Sequence, residues 1–76
     1  MPPITQSTLL KDLLTTKELA VTKLVAAGHS NAYIGIELGA KAGTIANHLA
    51  SIFKKSRCAN RTQLAAKYLA ECNSNA

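Results

Sequence analysis

Six polar side chains between positions 44 and 55 have the types and spacing of a nucleic-acid-binding surface. Within residues 43–56, apolar residues recur at the spacing of one buried stripe on an α-helix: Ile45, Leu49, Ile52 and Phe53. At about 100° per residue, the opposite arc carries hydroxyl, amide, imidazole and ammonium groups: Thr44, Asn47, His48, Ser51, Lys54 and Lys55. Such groups bind phosphates and base edges, so this arc is a candidate nucleic-acid interface.

The same stretch, taken alone, also fits an ordinary amphipathic surface helix. His48 lies at a shoulder of the helix, between the apolar stripe and the polar arc. Lys54 and Lys55 fit a solvated helix end, stabilised by the helix dipole, as well as they fit a phosphate clamp. The choice therefore depends on the rest of the chain.

The composition limits the classes of protein to which this chain can belong. The chain has 76 residues, enough for one small domain, and its 47% hydrophobic content is that of a globular protein. Nine Lys and Arg against four Asp and Glu give a net charge of +5, which favours polyanionic partners. No apolar run approaches the ~20 residues of a membrane span, and no signal-peptide pattern opens the chain, so no membrane association is expected.

No catalytic or metal-binding set stands out. Cys58 and Cys72 match no metal spacing, and with four acidic residues there is no paired-carboxylate or Ser/His/Asp arrangement. The sequence therefore predicts a protein that is not an enzyme and has no cofactor. Isolated thiols without an export signal indicate a reduced, cytoplasmic setting.

Capping signals divide the chain into helices. Thr15-x-x-Glu18 is a capping box that opens a first helix, which ends at Gly28. Ser7 is a candidate cap for a short helical turn before it, whose leucines either pack on the domain or belong to a linker remnant. The predicted division is an arm or linker remnant at 1–13, a domain at 14–72 and a disordered tail at 73–76.

Two further helices are joined by a tight turn. Ser30 is the N-cap of a short second helix that ends at Gly39, and residues 39–41 then lead into the long third helix. A short helix, a tight turn with glycine and a long helix with a polar outer face are the layout of a helix-turn-helix. Asn60, with Gln63 in capping-box position, opens a fourth helix. Its apolar side leaves surface for a partner: Leu64, Ala65, Tyr68, Leu69 and Cys72.

Residues 14–64 resemble the LuxR-type (FixJ- or NarL-type) DNA-binding domain. The matching residues are Leu14-Thr15, Lys17-Glu18, Val21, Ala26, Gly28, Ser30-Asn31, Ile34, Leu38, Thr44-Ile45, Asn47-His48, Ile52, Lys54-Lys55 and Asn60-Arg61-Thr62-Gln63. The resemblance implies an all-α, four-helix domain, the output domain of a bacterial transcription regulator that acts at the nucleoid. It also implies dimerisation through the fourth helix and possible contact with RNA polymerase or a related regulator.

The expected interfaces follow from that resemblance. The third helix would enter the major groove of double-stranded DNA, with Asn47 the best candidate for adenine recognition. The predicted DNA-binding residues are Lys41, Thr44, Asn47, His48, Ser51, Lys54 and Lys55. For His48 the resemblance favours a structural contact that joins the third helix to its neighbours over a phosphate contact. A weak homodimer would form through Leu64, Tyr68 and Leu69. Glu18 and Arg61, both at matching positions, are expected to form an ion pair within the domain.

Several residues depart from the family pattern. Ala46 and Ala50 stand where the family usually has basic or polar residues that touch DNA. Lys41 replaces a common Ser or Thr cap, Ser56 and Thr22 replace leucines, and Tyr33 replaces a frequent Glu. The two alanines favour an alternative function, in which the domain pairs with a related regulator and modulates it. The retained positive charge argues against that alternative.

Overall fold

The computed structural model describes residues 9–74, which form five α-helices and no strand. They are α1 (Leu10–Leu13), α2 (Thr16–Ala26), α3 (Asn31–Leu38), α4 (Ala42–Ser56) and α5 (Arg61–Ser74). Helices α2 to α5 are the four predicted from the sequence, so the all-α helix-turn-helix fold is confirmed, with the short α1 in front. The proposed cap at Ser7 and the last two residues of the predicted tail lie outside the described residues. None of the helices within residues 9–74 is long and apolar enough to cross a membrane.

The predicted capping box opens α2. The Glu18 amide donates to Thr15 Oγ1 at 3.1 Å, and the Thr15 amide donates to Glu18 Oε1 at 2.9 Å. Leu14 before the cap is buried and Leu19 after it is half-buried. The two leucines stand on either side of the cap, at the positions of a hydrophobic staple, a contact that fixes how a chain enters its helix.

The turn between α3 and α4 is closed by two glycines. Gly39 has φ 72°, the left-handed conformation that glycine adopts without a steric penalty. The amides of Gly39 and Ala40 both donate to the carbonyl oxygen of Gly35. A Cβ atom at Gly35 would collide with the Ala40 carbonyl oxygen, so only glycine permits this close turn.

One apolar core receives a side chain from every helix. Its buried members are Leu10, Leu14, Val21, Val25, Ile34, Ile45, Leu49, Ile52, Cys58 and Leu64. Leu10 is only 1% exposed, and its amide donates to Glu71 Oε1 of α5 at 2.8 Å. Leu14 is also buried in this core and Leu13 packs against it, whereas Leu9 is exposed.

Helix α5 begins as the sequence predicts and continues further. The Gln63 amide donates to Asn60 Oδ1 at 2.9 Å, which confirms the Asn60 cap. The Gln63 side chain accepts from the amide of Ala59 at 2.7 Å, one residue before the amide that a capping box would use. At its other end α5 extends to Ser74, past the predicted start of the tail at 73.

Ser56, at the last position of α4, leaves a polar atom unpaired in the core. Its residue is 6% exposed, and its hydroxyl has no hydrogen-bond partner among the described residues. Thr22, the other residue in place of a leucine, is also buried, but its hydroxyl donates to the Glu18 carbonyl at 2.8 Å. A buried hydroxyl without a partner costs free energy, so Ser56 is a weak point of the core.

Ser56→Ala should raise the free energy of unfolding by about 1 kcal/mol, because it removes an unpaired buried hydroxyl and favours the helix. The matched control is Ser51→Ala in the same helix, where the hydroxyl donates to Glu18. That variant should lose about 1 kcal/mol instead. Urea unfolding followed by circular dichroism measures both, and equal shifts in the two variants would contradict the assignment.

Candidate nucleic-acid interface

Helix α4 exposes a face of mostly small side chains. Ile45, Leu49, Ile52 and Ser56 are buried. Four exposed residues at helical spacing lie along the middle of the opposite side: Gly43, Asn47, Ala50 and Lys54. We call these four residues the outer face of α4. The polar arc predicted from the sequence overlaps this face only in part, because its other side turns toward α2.

The predicted DNA-binding residues fall into two groups by exposure. Lys41, Thr44, Asn47, Lys54 and Lys55 are exposed, whereas His48 and Ser51 are half-buried. Lys41 occupies the N-cap position of α4, and its side chain makes no capping hydrogen bond. It therefore leaves the amides of the first turn of α4 without a side-chain acceptor and places a cation at that end of the helix.

A carboxylate from α2 holds the C-terminal half of α4. Glu18 is 7% exposed and accepts from Lys55 Nζ, at 2.9 Å to Oε1 and 3.1 Å to Oε2. Its Oε2 also accepts from the Ser51 hydroxyl at 3.2 Å, while its Oε1 takes the Thr15 amide of the capping box. One side chain thus caps α2 and fixes α4 against it.

The charge state of Glu18 follows from these contacts. Burial opposes ionisation and raises its pKa, but the Thr15 amide, the Lys55 ammonium and the Ser51 hydroxyl outweigh burial. The net effect holds the pKa of Glu18 below its ordinary value of 4.5, so it is a carboxylate at neutral pH. Lys55 is therefore already paired within the domain, although its side chain is 41% exposed.

Arg61 does not pair with Glu18, and that expectation is wrong. Its guanidinium donates instead to Asn31 Oδ1 at 2.5 Å and to the His29 carbonyl at 2.6 Å. The physical reason is position: Arg61 at the start of α5 meets the turn between α2 and α3, whereas Glu18 meets α4. His29 also stacks on Tyr33, with ring centroids 4.2 Å apart, so this turn is held from two sides.

The predicted dimer surface on α5 needs one correction. Leu64 is fully buried in the domain core, so it has no surface to offer a second copy. Tyr68 is half-buried against the same core, and only Leu69, 48% exposed, presents a large apolar side chain outward. Burial and the neighbouring Cys72 raise the pKa of Tyr68, so its hydroxyl stays protonated at neutral pH.

Two features of the structure have no counterpart in the sequence reasoning. The first is the Glu18 contact with Ser51 and Lys55, which joins residues 33 and 37 positions apart. The second is a groove of about 390 Å³ between α1, α2 and α5, with Leu9, Leu19 and Tyr68 among its walls. Neither has a local sequence signal, because both depend on how separate helices pack. Within the described residues, no group of three His, Cys, Asp or Glu side chains is placed to hold a metal ion.

Comparison with known proteins gives one family and one curated relative. The family described as "Bacterial regulatory proteins, luxR family" matches residues 12–68. A protein of Escherichia coli (strain K12) named "Putative HTH-type transcriptional regulator YhjB" is 38% identical over 58 residues. The match covers 74% of this chain and 29% of that protein, so the chain spans less than a third of its relative. No solved structure matches the chain significantly.

Glu18→Gln should lower the free energy of unfolding at pH 7 by about 2 kcal/mol, since hydrogen bonds to a charged group contribute about 1.5–3 kcal/mol. Because folding depresses the pKa of Glu18, its stabilisation is present above the unfolded pKa near 4.5 and is lost as pH falls through the folded value. The difference between wild type and variant should therefore shrink below about pH 4.5. Denaturant unfolding at pH 7 and at several acidic pH values measures this.

The matched control for this prediction is Glu37→Gln, which removes the same charge from an exposed position on α3. A surface substitution of this kind should change stability by about 0.5 kcal/mol or less. Equal effects of the two variants at pH 7 would show that the Glu18 contacts with α4 contribute nothing specific.

Proposed function

We propose that this chain, which belongs to the luxR family of bacterial regulatory proteins, binds specific double-stranded DNA sites through α4 in the major groove and regulates transcription. The observation that carries the proposal is the outer face of α4, an exposed helix surface supported from behind by the core and by Glu18. In a helix-turn-helix, the second helix of the motif enters the major groove, with its N-terminal residues at the base edges. Here that helix is α4.

The lysines of α4 support this orientation. Lys41 and Lys54 lie at opposite ends of the helix, 13 residues apart, which is about 20 Å along the axis at 1.5 Å per residue. The major groove is about 12 Å wide, so a helix crossing it places these two cations near the phosphates of the two strands. The net charge of +5 adds a general attraction to the same polyanion.

The half-buried and paired residues of α4 hold the helix in place rather than contact DNA. Ser51 and Lys55 support the helix through Glu18, and their expected contact with DNA becomes secondary. His48, half-buried at the shoulder, is assigned to packing rather than to a phosphate. Thr44 is exposed in the first turn, where its hydroxyl suits a phosphate or a base edge.

We further propose that two copies of the protein pair through α5 when bound to DNA. Leu69 with the exposed edge of Tyr68 forms a small apolar surface on α5, through which two copies would pair on two half-sites. One short helix per subunit buries less than the ~1,200 Å² of a stable complex, so this homodimer would be weak.

Such a regulator would act in the bacterial cytoplasm, at the nucleoid, beside RNA polymerase. The alternative of a protein-interaction module that pairs with a related regulator is not favoured, because the matching family and relative are described as regulatory proteins and as an HTH-type transcriptional regulator.

Lys54→Ala should weaken binding to specific and random duplex DNA alike and reduce the slope of log K against log salt by about 1, because one phosphate contact is lost. The control is Lys23→Ala, which removes an exposed charge from the side of α2 that faces α5. That variant should leave the slope unchanged. Fluorescence anisotropy at several salt concentrations measures both, with circular dichroism as the check on folding.

Two results would count against the proposal. If both lysine variants lower the affinity equally, net charge alone drives binding and α4 is not the DNA-contacting helix. If Lys54→Ala leaves affinity and slope unchanged in a folded protein, the C-terminal end of α4 does not lie at the phosphates.

A further inference from the structure

The exposed side of α4, which includes its outer face, holds few groups that can recognise a base. Its exposed residues up to position 54 are mostly small and apolar: Ala42, Gly43, Thr44, Ala46, Asn47, Ala50 and Lys54. Guanine presents two acceptors in the major groove, N7 and O6, which Arg or Lys satisfies best. Lys41 and Lys54 lie six and seven residues from Asn47, about 9–10 Å along the axis. The middle of the helix therefore carries no cation for guanine.

Asn47 is the polar side chain best placed at the centre of this surface. It is exposed, and no hydrogen bond to its side chain occurs within residues 9–74. Ser51, one turn further on, is instead engaged by Glu18. The carboxamide of Asn47 thus remains available for a ligand, while its polar neighbour is held in the domain.

The chemistry of a carboxamide favours one base. Its oxygen accepts from adenine N6 and its NH₂ group donates to adenine N7, a bidentate pair that guanine cannot form in the same way. Ala50, one turn from Asn47, offers only a methyl group, and so does Ala46, the residue before Asn47. Methyl groups of this kind contact the C5-methyl group of thymine.

We propose that α4 selects A·T base pairs in each half-site, with Asn47 binding adenine and the Ala50 methyl group contacting a neighbouring thymine, helped by Ala46. The alanines that replace basic residues of the family pattern are then specificity-determining residues rather than lost contacts. This inference rests on the proposed function, because it requires that α4 lies in the major groove.

The test begins with the whole chain and a library of randomised duplexes. Selection with the wild type should enrich A·T pairs at adjacent positions, and selection with Asn47→Ala should lose the adenine preference. In the selected duplex, 7-deazaadenine removes N7 and uracil removes the thymine methyl group. 7-Deazaadenine should weaken wild-type binding several-fold, because it removes one of the two hydrogen bonds of the bidentate pair. Uracil should also weaken it several-fold, because it removes the methyl contact.

Matched variants assign each contact to its residue. Asn47→Ala should bind adenine and 7-deazaadenine duplexes equally, and Ala50→Gly should bind thymine and uracil duplexes equally. Lys54→Ala should bind every duplex more weakly but keep both discriminations, because a phosphate contact carries no sequence information. Circular dichroism of each variant excludes unfolding as the cause.

The possible failures are distinguishable. Enrichment of G·C pairs, or wild-type binding that is the same for natural, 7-deazaadenine and uracil duplexes, would overturn the A·T inference while duplex binding stands. Discrimination that survives in Asn47→Ala and Ala50→Gly would overturn the assignment to these residues. Failure of the wild type to bind any duplex would remove the proposed function itself.

Discussion

The position of α4 depends on one buried carboxylate. Glu18 is one of four acidic residues in the chain, and it joins the start of α2 to the C-terminal half of α4 through Ser51 and Lys55. A carboxylate in such a place is costly unless it is paired and hydrogen-bonded, and here amide, hydroxyl and ammonium groups all meet it. The same contacts pair Lys55, whose ammonium group would otherwise add to the unpaired positive charge of α4.

The elements of the fold could be predicted because their signals are local. The Thr15–Glu18 box, the Ser30 and Asn60 caps and the left-handed Gly39 each act within a few residues, so the sequence correctly places the starts of α2, α3 and α5 and the end of α3. Contacts between helices have no such signal. The expected Glu18 partner of Arg61 is wrong, because a matching position indicates that a residue has a partner but not which residue that partner is.

The surface of each helix was harder to predict than its existence. On α5, apolar periodicity identifies one side but not how far the domain covers it, and Leu64 proved to be inside. On α4, residue type alone does not show how far each polar side chain is covered: His48 and Ser51 are half-buried, and Ser51 donates to Glu18 of α2. The exposed centre is therefore shared by Asn47 and Ala50, so the departures from the family pattern occupy the middle of the candidate site.

If the outer face of α4 lies in the major groove, adding duplex DNA to the isotope-labelled chain should change the amide chemical shifts of that face. The largest shift changes are expected at Gly43, Thr44, Asn47 and Ala50, with small changes at Leu19 and Tyr68, which line the protein's own groove between α1, α2 and α5. Changes concentrated on α5 or α1, with α4 unaffected at saturating duplex, would contradict the placement of α4 in the major groove.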